Sequence, residues 1–74
     1  MSTPDPVSWK VAERGWKVLD ESGGEVGRVN EIRGDVEADI FDGVEISHGL
    51  LGRIEYIPSE RVVDIREGEV VVRT

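Results

Sequence analysis

Residues 43–65, GVEISHGLLGRIEYIPSERVVDI, decide the fold of this chain. Val44 and Ile46 alternate with polar neighbours, and Ile54, Tyr56 and Ile57 follow in a second apolar run. Alternation with a period of two marks a strand with one buried face. Between the runs, Gly49 and Gly52 bracket a short tip, the signature of a hairpin. Pro58 has the fixed φ that suits the second position of a type I turn over residues 57–60. Residues 62–66 then read as another strand. The stretch is therefore strand, tip, strand, turn, strand. It points to a small β-structure and not to a reaction.

Working outward toward the N-terminus, residues 40–46 form the strand that enters the hairpin, with Ile40, Val44 and Ile46 on one face. Asp42-Gly43 would also suit a tight hairpin turn. A through-strand is preferred, because either half alone would be very short. Residues 34–39 are an acidic connector. Residues 16–19 and 25–33 form a hairpin about the turn Asp20-Glu21-Ser22-Gly23-Gly24. Val26, Val29 and Ile32 are three apart, a spacing that also suits a helix. Gly27 inside the run and the preceding hairpin turn argue against one. A bulge or bend at Gly27 accounts for the slipped period. At the other end, Glu67-Gly68 is a turn and residues 69–73 are the last strand. Residues 1–6, with Pro4 and Pro6, are expected to be a disordered tail. Val7, Trp9 and Val11 alternate with polar or small residues, as in a half-buried strand or an extended arm. The count is six or seven short strands and no long helix, which means a small barrel or sandwich formed by residues 7–74. Val18, Val29, Val44, Ile54 and Ile65 are the expected core.

The totals agree with one small domain. The chain has 74 residues and no cysteine, so neither a disulfide nor a thiolate metal site is available. Packing alone must hold it, aided by self-association, so a homo-oligomer and specifically a homodimer is expected. Sixteen Asp and Glu outweigh nine Lys and Arg, for a net charge of −7, and no two of the basic residues are adjacent. A phosphate backbone or an anionic membrane surface demands clustered Lys and Arg. Neither nucleic acid nor membrane is expected as a partner. The N-terminus lacks the apolar core of a signal peptide, and no apolar run approaches the roughly 20 residues that span a bilayer. The expected location is the cytoplasm.

Several segments in order resemble the PRC-barrel superfamily, small six-stranded barrels named after the photosynthetic reaction centre H subunit. They are Val18-Leu19-Asp20, Gly24-Glu25-Val26-Gly27-Arg28-Val29, Ile40-Phe41-Asp42-Gly43-Val44, Gly49-Leu50-Leu51-Gly52-Arg53 and Tyr56-Ile57-Pro58-Ser59-Glu60-Arg61-Val62. The resemblance covers roughly residues 15–73. Pro6-Val7-Ser8-Trp9, together with the 39–43 and 56–62 runs, looks like a short bacterial branch of the group. The implied fold is all-β, a six-stranded PRC-type barrel with an extended N-terminal segment. Relatives include the reaction-centre H subunit domain and the C-terminal domain of a ribosome-maturation factor, both of which act through protein contacts. The resemblance carries over no catalytic residue and no cofactor. It implies a non-enzymatic protein-interaction or scaffold module, the alternative being a barrel that binds a small ligand or a divalent metal.

The residues themselves offer little chemistry. His48 is the only histidine, with no nucleophile–base–orienter set near it in sequence, and reads as an exposed loop residue. Asp35, Glu37, Asp39 and Asp42 lack the calcium-loop spacing and read as a solvated connector, so no metal ligand is assigned. Gly23, Gly24 and Gly27 are not followed by the Gly-Lys-Ser/Thr of a phosphate loop. The candidate partner contacts are Trp9, Leu50 and Leu51. Leucines at a glycine-bracketed tip either fold back onto the barrel or meet a partner. Trp9 caps its own barrel or lies across a neighbouring subunit, tryptophan being enriched at interface hot spots.

Overall fold

In the computed structural model, which describes residues 8–73, two aspartates set the first two turns. The Asp20 carboxylate accepts the backbone N–H groups of Ser22 and Gly24, each at 2.9 Å, and the Ser22 hydroxyl at 2.6 Å. This closes the turn between β1 (Lys17–Asp20) and β2 (Glu25–Asp35). The Asp35 carboxylate accepts the N–H groups of Glu37 and Ala38 at 3.1 and 3.2 Å and starts the turn into β3 (Ile40–His48). Aspartate favours such sites because its short side chain reaches the backbone two residues on. β4 (Arg53–Pro58) follows the leucine tip, and a 3-10 turn (Ser59–Arg61) leads to β5 (Val62–Arg66). Glu67 and Gly68 then return the chain into β6 (Glu69–Val72).

The six strands form one sheet in the order β4-β3-β2-β1-β6-β5. Neighbours are antiparallel except β1 and β6, which run parallel from Lys17↔Glu69 to Asp20↔Val72. Every strand contributes to one buried face: Val18, Val29, Val44, Ile46, Ile57, Ile65, Val70 and Val72 make the core. A single sheet that buries one face from all its strands must curl around that face, and the fold is a small six-stranded β-barrel of PRC type. The barrel is not sealed by hydrogen bonds, since β4 and β5 are the two edges of the sheet. The Ser59–Arg61 turn that joins them packs on β3.

Bulges do the bending. Val18 faces Gly27 while Leu19 faces Glu25, so β2 holds an extra residue beside Gly27, where the sequence pointed. A Cβ on Gly27 would stand 2.5 Å from the Ser47 carbonyl oxygen, so only glycine permits this approach of β2 to β3. A second bulge sets Asn30 out of register. A third lies in β3, where Arg33 faces Gly43 but Gly34 faces Phe41, leaving Asp42 as the extra residue. The through-strand reading of residues 40–46 is thus right, but the bulge reverses the faces before it. Phe41 turns toward the core and Ile40 is exposed, so Ile40 does not share a face with Val44 and Ile46.

The structure makes other corrections. Ile54, expected in the core, is 55% exposed. Ile57 sets the inward face of β4, and Ile54 lies an odd number of residues away, so it points outward; Tyr56 does likewise. Pro58 has ψ 156°, extended and not the type I value, because it ends β4 and the turn begins at Ser59. The acidic connector shrinks to residues 36–39, since β2 continues through Asp35. Trp9–Val11 is a 3-10 turn and not a strand or arm. The Ser8 hydroxyl accepts the Lys10 N–H at 3.2 Å, and the Ala12 N–H bonds back to the Trp9 carbonyl. The expected tail, residues 1–6, and Val7 lie outside the described residues.

Candidate interaction surface

The β3–β4 hairpin is built to hold two leucines in water. Gly49 and Gly52 adopt φ of 76° and 62°, the left-handed region that side-chain-bearing residues avoid. The Gly52 N–H bonds to the Gly49 carbonyl at 3.2 Å and closes the tip. Leu50 and Leu51 sit between them, 106% and 91% exposed. Of the two outcomes open to an apolar tip, folding back onto the barrel is therefore not the one realised within this chain.

Ile54 and Tyr56 extend this apolar character down the outer face of β4. The Tyr56 hydroxyl donates to the Asp42 carbonyl at 2.9 Å, fixing the ring over the β3 bulge. Beside it, the Arg33 guanidinium grips Glu45, with Nε–Oε2 at 2.7 Å and a second contact from Nη2. Arg33 holds the Glu45 carboxyl below its usual range, with a lesser contribution in the same direction from Asn30, and Glu45 holds the Arg33 pKa up. On the opposite face of β4, Glu55 lies 3.4 Å from His48 Nε2. His48 is thus the last residue of β3 and not a loop residue. Arg53 makes neither an ion pair nor a side-chain hydrogen bond among the described residues.

Trp9 is elsewhere. Its indole stacks on Phe41, centroids 5.4 Å apart and planes 19° from parallel, and it packs against the core cluster of its own chain. Lys10, next to it, reaches Asp39 at 3.3 Å. Phe41 and the leucine tip lie at opposite ends of β3, roughly 25 Å apart along an extended strand. Trp9 and the leucines therefore do not form one surface. The structure brings together Leu50, Leu51, Ile54 and Tyr56 on one hairpin arm. Placing Ile54 in the core, and Tyr56 in the same apolar run, concealed the second pair. The position of Ile57 was the available clue, since two residues three apart cannot share a face of a strand that has no bulge.

The architecture described, six strands with the leucine hairpin between the third and fourth, has a counterpart among known families. A family model described as PRC-barrel domain matches residues 14–74. The chain belongs to the PRC-barrel family. No curated protein matches it. Within this PRC barrel, the match includes the whole sheet and the leucine tip and begins after the Trp9–Val11 turn. No helix among the described residues is long and apolar enough to cross a membrane. No group of three or more His, Asp or Glu side chains converges as a metal site among those residues. The carboxylates of Asp20 and Asp35 are instead committed to turn backbone, and the Ser22 hydroxyl and the Gly24 N–H hold Asp20 below its usual pKa.

Proposed function

We propose that this PRC barrel is a non-enzymatic protein-interaction or scaffold module whose contact point is the β3–β4 hairpin. The observation that carries the reading is the full exposure of Leu50 and Leu51 on a tip held by two left-handed glycines. A leucine exposed at a hairpin tip gains nothing for its own fold, whereas covering it in a complex removes apolar area from water at about 25 cal/mol per Å². The polar turns of the molecule contrast with it: residues 20–24 and 67–68 carry no large apolar side chain. The alternative, a cation- or ligand-binding barrel, draws no support from the acidic turns, where Asp20 and Asp35 accept backbone N–H groups and Asp39 pairs with Lys10.

A photoreactive amino acid placed at Leu51 in the native host, with Glu67 in the β5–β6 turn as control, tests this. The expected result is a discrete protein adduct from position 51 that disappears with Leu50→Ser and is not formed from position 67. No adduct at 51, or the same adducts from both positions, overturns the proposal.

A further inference from the structure

Both edges of the sheet offer unpaired backbone, but only one is left open to a new strand. Folded proteins blunt edge strands with bulges, charge and shortness. The β5 edge is blunted: its register with β6 breaks between Val62 and Asp64, and Arg66 is bonded to Asp64 at 2.8 Å along the same strand. β4 is regular. Its pairing with β3 runs unbroken from Gly43↔Pro58 to His48↔Arg53, and Arg53, Ile54, Glu55 and Tyr56 are all exposed. Bare backbone on a straight edge is the template for strand addition.

The sequence of that edge matches itself. We propose that β4 pairs antiparallel with β4 of a second copy of this chain, with the two-fold axis at Ile54. The proposal rests on the reading of the β3–β4 hairpin as a contact surface and names its occupant. In this register Ile54 faces Ile54. Arg53 faces Glu55 of the second copy, and Glu55 faces its Arg53, so the symmetry makes two opposite-charge pairs from one Arg-Ile-Glu triplet. Directly opposite residues share a sheet face, so each pair meets on one side. Arg53, which has no charged partner among the described residues, gains one. Gly52 faces Tyr56 of the second copy, leaving room for the ring and drawing each leucine tip toward the other chain's Tyr56–Pro58 segment. A two-fold interface demands this kind of self-complementary patch.

Reversing charges decides the matter. Sedimentation equilibrium of the full chain should show a dimer in the micromolar range. Arg53→Glu places Glu opposite Glu twice and should weaken the dimer about tenfold or more, as should Glu55→Arg. The double variant Arg53→Glu/Glu55→Arg restores both opposite-charge pairs and should recover most of the lost affinity. Circular dichroism melts confirm that each variant is folded. The chain lacks cysteine, so Ile54→Cys adds a lone thiol. Opposed residues of antiparallel strands lie about 4.5–5.5 Å apart, within the span of a disulfide. Mild oxidation should therefore link two copies through position 54. Tyr56→Cys should link far more slowly, its two copies being about 13 Å apart. A wild-type monomer throughout the micromolar range overturns the proposal. So does a dimer indifferent to the single reversals, or a folded double variant that does not recover. If the chain stays monomeric while position 51 still crosslinks to another protein, strand pairing fails and the interaction-module reading survives. If neither dimer nor adduct forms, both fail.

Discussion

Trp9 stacks face to face on Phe41 and at the same time lies over Gly34, where a Cβ would stand 2.9 Å from the indole Cη2. The N-terminal 3-10 turn is thereby clamped to the start of β3 and the end of β2. Offset aromatic stacking adds about 0.5–1.5 kcal/mol to area burial. Trp9→Ala should cost roughly 1–3 kcal/mol, less than a fully buried tryptophan, since the residue is only partly buried. Phe41→Ala in addition should cost less than its single effect, and the double-mutant cycle by urea denaturation measures the coupling. Additive losses would show that the stack contributes nothing.

Ile46 and Ile54 make the paired test of the core. Ile46 is fully buried and Ile54 is more than half exposed. Ile46→Ala should destabilise by about 2–4 kcal/mol through lost burial and the cavity left behind. Ile54→Ala should change monomer stability by no more than about 0.5 kcal/mol when chemical denaturation is followed in dilute protein. Equal losses would place Ile54 in the core after all.

The Arg33–Glu45 pair sets a pH dependence. Glu45 has a folded-state pKa below its unfolded value near 4.3. The folded state therefore binds fewer protons than the unfolded chain in this range. Its stabilisation is fully present above the unfolded pKa and disappears as pH falls through the folded one. Asp20 acts with the same sign through its bonds to Ser22 and Gly24. The melting temperature should be flat from neutrality to about pH 5 and then fall. Glu45→Gln should make that acid decline shallower. A decline unchanged by Glu45→Gln would remove the pair from the explanation.

The leucine tip should separate stability from contact. Leu50→Ser and Leu51→Ser remove side chains that touch solvent, so each should shift stability by less than about 0.5 kcal/mol. Gly49→Ala forces a Cβ into left-handed backbone and should cost about 1 kcal/mol. Thermal melts rank the three variants. A large loss for the serine variants would mean that the leucines serve the fold.

The strands and turns of this protein are local properties, and the sequence by itself determined them. Period-two alternation marks residues 44–46, and a β-branched apolar run marks residues 62–65. Asp20 with Gly23-Gly24, Gly49 with Gly52, and Glu67-Gly68 place the turns through side-chain and φ preferences that act within four residues. The bulge near Gly27 and the barrel family were legible for the same reason. Which way each side chain faces was legible only up to the next bulge. The extra residue at Asp42 exchanges Ile40 for Phe41, and that bulge exists because β2 and β3 pair on both sides of it. The outward turn of Ile54 follows from Ile57, which is inward because it meets Val44 across the sheet. Tertiary structure alone decided that Trp9 covers Phe41 in a 3-10 turn, that β6 closes beside β1 in parallel, and that β4 is left as the straight open edge. Each of these depends on residues far apart in the chain, whose meeting is fixed by the packing of one curled sheet around a common apolar face.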